Sequence, residues 1–249
     1  MTITAIEESQ RGAAKVAGFA GLFTMAVVVF VNFGIHEPLI VAGNAVDTAR
    51  NILAHERLFR IGIACDLIYS AGLVVLLTAL YVILKPVSRG LALLAAFWRL
   101  VYAFLWVLMT LNLFETLRFL HGADYLRVFE PDRLQALARL SLTSSSDMYY
   151  AGLVFYALAS TACSYLWWKS QYVPRLLAGW GLISSVFCAA CTLTFIISPA
   201  FTKVVNLWWF DSPMGVFEMA LSFWLLLKKL KAGVPAKVTL RADVYGSRI

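Results

Sequence analysis

Residues 93–118, LLAAFWRLVYAFLWVLMTLNLFETLR, form a long apolar run in which Arg99 is the one charged residue before Glu115. A surface helix of a soluble protein shows polar side chains along one face, at a period near 3.6 residues. This run has no such face. A helix built from it must therefore be surrounded by apolar material along most of its length.

The composition indicates that this material is lipid. Of the 249 residues, 61% are hydrophobic and 14% are charged, whereas soluble domains average about 45–50% apolar and about 25% charged residues. So few charged side chains cannot cover a globule with a surface that water tolerates. The sequence therefore predicts an integral membrane protein whose main partner is the lipid bilayer.

Six segments have the length and hydropathy of membrane spans, since a hydrocarbon core about 30 Å thick needs roughly 20 apolar residues in a helix. The segments are 14–33, 59–84, 91–117, 149–168, 176–197 and 213–227. The last is short, so VVNLWWF before it is expected in the membrane interface. The predicted fold is an all-α, polytopic transmembrane bundle at residues 14–230, between a disordered tail, 1–13, and a basic cytoplasmic tail, 231–249.

Basic residues beside the spans predict the orientation. The loops between spans two and three and between spans four and five are short and purely basic, with Lys85, Arg89, Lys169 and Arg175. Such loops stay in the cytoplasm. Both termini are therefore predicted to be cytoplasmic, in a plasma (inner) membrane. The net charge of +7 does not indicate nucleic acid, because the basic residues flank spans instead of forming one patch.

Two outer connections are predicted to contain amphipathic helices. NAVDTARNILAHERLF (44–59) begins with Asn44 as a cap, and EPDRLQALARLSL (130–142) has Pro131 at a first helical position. Both are expected to lie on the outer membrane surface or to cap the bundle.

Motifs for a cofactor, a phosphate loop, a zinc protease or a serine nucleophile are missing from the sequence, so no cofactor is predicted. Of the three histidines, His36 and His55 adjoin Glu37 and Glu56, and His121 is expected near the same face. They are interpreted as loop residues and not as metal ligands. Cys188-x-x-Cys191 lies in an apolar span without a second pair, which favours helix packing over a redox or zinc site.

Charged residues inside spans are the best functional signal, because lipid burial is expensive unless such groups are paired or line a wet cavity. Arg99 lies nine residues after Gly90, and Glu218 lies ten residues before Lys228. At the helical rise these positions are about 13 Å and about 15 Å deep from one side. We therefore expect Arg99 and Glu218 to face each other. The alternative is an Arg99 that snorkels to the headgroups beside a protonated Glu218.

A second polar group is predicted near the outer ends of spans two and three. There the residues expected to form the floor of an outward-facing binding cavity are Arg60, Asp66, Asn112, Glu115, Arg118 and Tyr125. A ring of interfacial charges at helix ends is the alternative.

Four stretches resemble the bacterial domain-of-unknown-function 4386 family of six-span membrane proteins. They are NILAHERLFRIGIACDLI (51–68), ALYVILKPVSRGLALLAAFWRLV (79–101), FLHGADYLRVFEPDRLQALARLSL (119–142) and WWKSQYVPRLLAGWGLI (167–183). The positions that resemble recurring family residues are Arg60, Asp66, Gly122, Ala123, Asp124, Tyr125, Leu126, Pro174 and Arg175. The resemblance supports the topology and implies no activity, substrate or catalytic residue.

Three functions fit these features. The first is binding or moving a small amphiphile or an ion through an outward-facing polar cavity. The second is a membrane-embedded enzyme that acts on a lipid or isoprenoid, with Asp66 or Glu218 as general acid. The third is a structural or regulatory partner of another membrane protein.

Overall fold

The computed structural model describes residues 8–122, 124–126, 128–198, 200–201, 204–228 and 230. The elements in these ranges are helical. They are α1 (Glu8–Val31), a π-helical turn (Asn32–His36), α2 (Glu37–Leu39), α3 (Ala45–Ala54), α4 (Glu56–Leu84), α5 (Arg89–His121), a 3₁₀ turn (Asp124–Leu126), α6 (Pro131–Ser170), α7 (Arg175–Ile197) and α8 (Leu207–Leu227). Predicted tail residues 1–7 and 231–249 lie outside the described residues.

The six long helices form a closed ring in chain order. Each of α4, α5, α6 and α7 packs against its neighbours in the sequence, and α8 closes the ring against α1. The side-chain amide of Gln10, near the start of α1, donates to the carbonyl of Ile83, near the end of α4, at 3.0 Å. The ring therefore has two ends. We call one the termini end; it contains Glu8, Leu227 and the connections 85–88 and 171–174. We call the opposite one the α3 end, because α3 lies there.

Among the residues that the structure describes, five stretches are long and apolar enough to cross a membrane: Glu8–Leu39, Glu56–Leu84, Arg89–His121, Arg175–Ile197 and Trp209–Leu227. The chain is thus a multi-pass membrane protein by length and composition. The predicted span 149–168 lies inside α6 and is not among the five. Its tyrosines, serines and threonine make it less apolar than the others, yet it takes its place in the ring between α5 and α7.

Helix α6 joins the predicted outer helix 130–142 and the predicted span 149–168 into one helix. It runs without interruption for 40 residues, through the polar stretch TSSSD that lies between the two predicted segments. The hydroxyls of Thr143, Ser145 and Ser146 each donate to the carbonyl four residues earlier. A polar side chain that bonds to its own helix in this way does not require a loop. The stretch also contains no glycine or proline to end the helix.

Helix α1 begins at Glu8, earlier than the predicted start at Ala14, and its regular winding stops before the predicted end at Phe33. The interruption is the π-helical turn Asn32–His36. Pro38 lacks the N–H that would donate to the carbonyl of Gly34, and its ring would clash with that carbonyl in a regular helix. A wider turn relieves this conflict, which explains the π-helical geometry.

Helix α8 begins at Leu207 and contains Pro213, the predicted first residue of the last span. Proline is tolerated inside membrane helices when neighbouring helices compensate the freed carbonyl. The earlier start brings Phe210, 1% exposed, and Asp211 into the bundle. The stretch VVNLWWF thus enters the helix at Leu207.

Close packing of α1 on α8 depends on glycine. A Cβ atom at Gly18 would lie 2.7 Å from the carbonyl oxygen of Ser222 and 2.8 Å from the amide nitrogen of Leu226. Small residues let membrane helices approach in this way. The contact holds the first and last helices of the ring together.

The predicted outer helix 44–59 is represented by α3, which is shorter. Asn44 caps it, and its side-chain oxygen accepts from the amide of Asp47 at 3.0 Å. Ile52 of α3 joins Ile35, Phe59, Leu117 and others in a small apolar core at the α3 end, separate from the main core. The ring of Phe59, a member of this core, has its centre 6.2 Å from that of the His36 ring.

Candidate functional site: a polar column inside the helix ring

Arg99 on α5 and Glu218 on α8 form a two-pronged ion pair inside the ring. The guanidinium donates from Nη2 to Oε1 at 2.6 Å and from Nη1 to Oε2 at 3.3 Å. The side chains are 3% and 16% exposed. Two parallel hydrogen bonds fix the orientation of both groups and strengthen the attraction. The structure thus brings together the two intramembrane charges expected to be partners.

Aromatic rings surround this pair on the side facing the α3 end. The Arg99 guanidinium carbon lies 4.9 Å from the centre of the Tyr156 ring, within the range of a cation–π contact. Tyr156 packs on Tyr102 with 4.8 Å between ring centres, and the hydroxyls of Tyr102 and Tyr69 are 3.2 Å apart. Helices α4, α5 and α6 thereby each contribute a tyrosine to one buried layer.

Asp66 on α4 lies beyond the tyrosines and is 1% exposed. Its Oδ1 accepts a hydrogen bond from the indole Nε1 of Trp106 at 3.1 Å. Its Oδ2 lies 3.6 Å from Nε2 of His36. Both of these facing atoms are buried, and neither has a hydrogen-bond partner among the described residues.

A second carboxylate, Asp211 on α8, shares the layer of Asp66. The hydroxyl of Tyr149 on α6 donates to Asp211 Oδ2 at 2.8 Å. The rings of Tyr149 and Trp106 meet edge to face, with centres 5.8 Å apart. Asp66 and Asp211 are therefore connected through one aromatic contact across the interior.

We call the whole set the interior polar column. Its members are His36, Asp66, Tyr69, Tyr102, Trp106, Tyr149, Tyr156, Asp211, Arg99 and Glu218. It extends from the α3 end to the middle of the ring. Three carboxyl groups and one guanidinium lie within it.

A small cavity adjoins the column at the ion pair. Arg99, Ser160, Glu218 and Ser222 line it together with apolar side chains such as Leu76. It is large enough for water and too small for an amphiphile. Nε of Arg99, which does not bond to Glu218, is buried without a hydrogen-bond partner among the described residues.

The structure does not bring the six residues of the predicted outward cavity together. Asn112 donates to the sulfur of Met148 at 3.5 Å, and Glu115 accepts from Ser141 at 3.2 Å. Both partners belong to α6, so these polar groups join α5 to α6. Of the predicted set, Asp66 reaches the interior.

The remaining members of that set lie on the surface. Arg60 binds Glu56 one turn earlier on α4, with 53% of its side chain exposed. Arg118 is exposed, and Tyr125 is 69% exposed. These positions are those of interfacial charges and aromatics at helix ends.

The three histidines lie apart from one another. His36 faces Asp66, Nδ1 of His55 contacts the carbonyl of Asn51, and Nε2 of His121 lies 3.0 Å from Glu56. In the described ranges, His, Cys, Asp and Glu side chains form no group of three or more that fits a metal ion. The four thiols, Cys65, Cys163, Cys188 and Cys191, are free.

Asp211 was not among the predicted site residues, because the last span was predicted to start at Pro213. The aromatic members were not predicted either, although helical spacing would have shown them. Arg99, Tyr102 and Trp106 are three and four residues apart, and Asp211 and Glu218 are seven apart. Such spacing places polar-tipped side chains on one helix face.

The model of the family described as domain of unknown function DUF4386 matches residues 16–228. The chain belongs to this family. The DUF4386 range includes every member of the interior polar column and nearly the whole ring. No curated protein and no solved structure matches the chain.

The positions that resemble recurring DUF4386 residues serve different purposes in the structure. Asp66 belongs to the column. Gly122 ends α5 in the left-handed conformation, at φ 58°, and Pro174 precedes the first residue of α7. Ala123 lies outside the described residues.

Proposed function

We propose that this DUF4386 protein binds a small cation, the proton included, and moves it along the interior polar column. The observation that carries the proposal is the excess of acidic over basic groups in the column. Asp66, Asp211 and Glu218 face the ring interior, and Arg99 is the guanidinium that accompanies them.

Charge balance is the physical reason. Glu218 and Arg99 neutralise each other, whereas Asp66 and Asp211 have neutral donors, an indole and a phenol. A buried carboxylate without a counter-charge is expensive, so it takes up a proton or another cation. Ionisable groups inside a membrane protein mark ion pathways and proton relays.

The small free volume of the interior limits the size of a ligand. Aromatic rings fill the space between the acidic layer and the ion pair, and the adjoining cavity has room for water. This interior favours a small cation over the amphiphile that the sequence also allowed. Tyrosine and tryptophan faces attract cations, which adds to the effect of the carboxylates.

Orientation follows from the basic residues at the termini end, among them Arg11, Lys15, Lys85, Arg89 and Arg175. The positive-inside rule places that end in the cytoplasm. In a plasma (inner) membrane the α3 end, and with it His36 and Asp66, then faces outward. The column is thereby loaded from outside.

Flux into liposomes tests the proposal. Full-length protein is reconstituted into liposomes that contain a proton-, sodium- or potassium-sensitive dye, and a gradient of the matching cation is imposed on each preparation. We expect saturable flux of one of these cations, lost in Asp66→Asn and in Asp211→Asn. The matched control is Asp132→Asn, because Asp132 is exposed at the start of α6. Flux no greater than that of empty liposomes for all three cations contradicts the proposal.

A further inference from the structure

We infer that His36 and Asp66 form a proton-binding site in which the imidazole receives a proton from the α3 end and passes it to the Asp66 carboxylate. The inference rests on the proposed function, because it names the cation as a proton and locates its first binding site.

The geometry of the facing atoms is the first argument. His36 Nε2 and Asp66 Oδ2 lie 3.6 Å apart, beyond a normal hydrogen bond. Both are buried and lack a hydrogen-bond partner in the part of the chain that the structure describes. A donor and an acceptor held this close, with no other partner, need a shift of less than about 1 Å to bond.

The two groups differ in access. The His36 side chain is 15% exposed and the Asp66 side chain 1%. His36 lies three residues before Leu39, the last residue of the first candidate span, whereas Asp66 lies ten residues after Glu56, the first residue of the second. His36 is therefore the member nearer the surface of the α3 end.

The backbone is shaped to hold the imidazole there. His36 ends the π-helical turn, a kind of irregularity often found at functional sites. Gly62 on α4 gives it space, because a Cβ at Gly62 would lie 3.4 Å from His36 Nε2 and 3.1 Å from Ile35. The ring of Phe59 lies 6.2 Å away. The imidazole thus packs against α4 one turn from Asp66.

Other charged groups of the packed helices do not compete for His36. Near the end of α4, Glu56 binds Arg60 and lies 3.0 Å from Nε2 of His121 on α5, and Arg57 is exposed. The neighbouring charged residues on α2 and α5 are exposed at the surface. They are Glu37, Glu115 and Arg118. Helix α1 has its charges at the termini end: Glu8, Arg11 and Lys15. Asp66 is therefore the carboxylate that His36 faces.

The proton step balances as follows. A proton from water adds to Nδ1 of the neutral imidazole and gives the imidazolium. Nε2 then releases its proton to Oδ2 of the Asp66 carboxylate, which leaves a neutral imidazole and a neutral carboxylic acid. Trp106 already occupies Oδ1, so Oδ2 is the oxygen able to accept.

The next groups inward suit a protonated Asp66. Ser70 lies one turn further along α4, and its buried hydroxyl lacks a hydrogen-bond partner among the described side chains. The Tyr69–Tyr102 hydroxyl pair lies at the same level of α4 and leads towards the Arg99–Glu218 pair. The site is thus continuous with the rest of the column.

The experiment follows both groups across a pH series in the full-length protein in lipid nanodiscs. Histidine-labelled NMR reports the three imidazoles, with His36 assigned by its loss in His36→Gln. Infrared spectroscopy reports the carboxylic-acid band of Asp66, assigned by its loss in Asp66→Asn. We expect the His36 signal to respond to Asp66→Asn, in which the imidazole is harder to protonate because its anionic partner is gone. Asp132→Asn is the control that leaves His36 unchanged.

A His36 signal that titrates identically in wild type and Asp66→Asn overturns the inference. If Asp66→Asn does not fold, Asp66→Glu, which keeps a carboxyl group at this position, assigns the band by its shift. An Asp66 band whose response to pH is the same in wild type and His36→Gln then overturns the inference. These spectra do not depend on flux. If His36 and Asp66 titrate together but no cation flux is found, the proposed transport is contradicted and the proton site stands. If sodium or potassium flux is found but His36 and Asp66 titrate independently, the proton site alone is contradicted.

Discussion

Arg99 and Glu218 are 119 positions apart in the chain and meet inside the ring at 2.6 Å. Each lies about 15 Å along its helix from the termini end. A helix pair joined this way has its register set by a polar contact, since lipid-facing apolar side chains discriminate poorly between registers. The pair therefore aligns α5 and α8, which are not neighbours in the ring.

Removing one member of the pair is expected to destabilise the fold strongly. In Arg99→Met or Glu218→Met alone, a buried charge loses its partner, and the free energy of unfolding falls by about 3–5 kcal/mol. The double variant is expected to lose less than the sum, because no unpaired charge remains. Reversible unfolding in detergent measures all three.

The exposed pair Arg50–Asp47 on α3 is the matched control for that cycle. Its disruption by Arg50→Met is expected to change stability by less than about 1 kcal/mol. If the changes in the free energy of unfolding caused by the two substitutions add up in the double variant, Arg99 and Glu218 are not coupled.

Glycine at position 18 is expected to be required for closing the ring. In Gly18→Ala the new Cβ meets the backbone of α8, which cannot move aside as a flexible side chain does. We expect a loss of thermal stability and weaker α1–α8 contact, measured by cross-linking of cysteines placed on the two helices.

Gly12→Ala is the control for Gly18→Ala, because it lies in the same helix and its added Cβ meets nothing within 4 Å. Alanine is favoured over glycine in a helix by about 1 kcal/mol, so Gly12→Ala is expected to be neutral or stabilising. Equal effects at both positions are incompatible with close packing as the role of Gly18.

The hydrogen bond from Tyr149 to Asp211 is expected to be worth more than a surface contact. Tyr149→Phe leaves a half-buried carboxylate oxygen of Asp211 without its donor, which reduces the free energy of unfolding by about 1–3 kcal/mol. The neighbouring Tyr150 packs on Phe195. Tyr150→Phe keeps that ring contact and is therefore expected to have little effect. Thermal unfolding compares the two, and a larger loss in Tyr150→Phe goes against the assignment.

The continuity of α6 can be tested at Ser146, which is exposed in the middle of the helix. Ser146→Pro removes a backbone hydrogen bond and introduces a clash with the preceding turn, at roughly 3 kcal/mol or more. Ser146→Ala removes only the hydroxyl, which bonds to the carbonyl of Leu142, and is expected to be harmless. If residues 143–148 instead formed a loop between an outer helix and the span, the two variants would be equally stable.

Much of the architecture could be predicted from the sequence. The spans at 59–84, 91–117 and 176–197 lie within α4, α5 and α7, because long apolar runs bounded by basic residues or proline leave few alternatives in a membrane. The division between the outer helix 130–142 and the span 149–168, and the start at Pro213, were wrong. In both, local composition was overridden, by hydroxyls that bond within their own helix in α6 and by tertiary packing that extends α8.

The candidate site divides in the same way. A depth count along two spans was enough to propose Arg99 and Glu218 as partners, because the helical rise is constant and buried charges seek each other. The depth of Asn112, Glu115 and Arg118 did not predict their positions correctly, because depth does not show which face of a helix turns inward. These side chains face α6 or the surface, whereas Tyr102 and Trp106 of the same helix face the interior.

The sequence by itself therefore determined that the chain lies in lipid and that its spans are helices. Composition requires lipid, and lipid requires that each span satisfy its backbone hydrogen bonds as a helix. The tertiary structure decided the order of the ring, the inward face of each helix and the meeting of His36 with Asp66 and of Tyr149 with Asp211. Those relationships join residues 30 to 62 positions apart, and they arise from side-chain packing between helices, which no periodicity within one helix encodes.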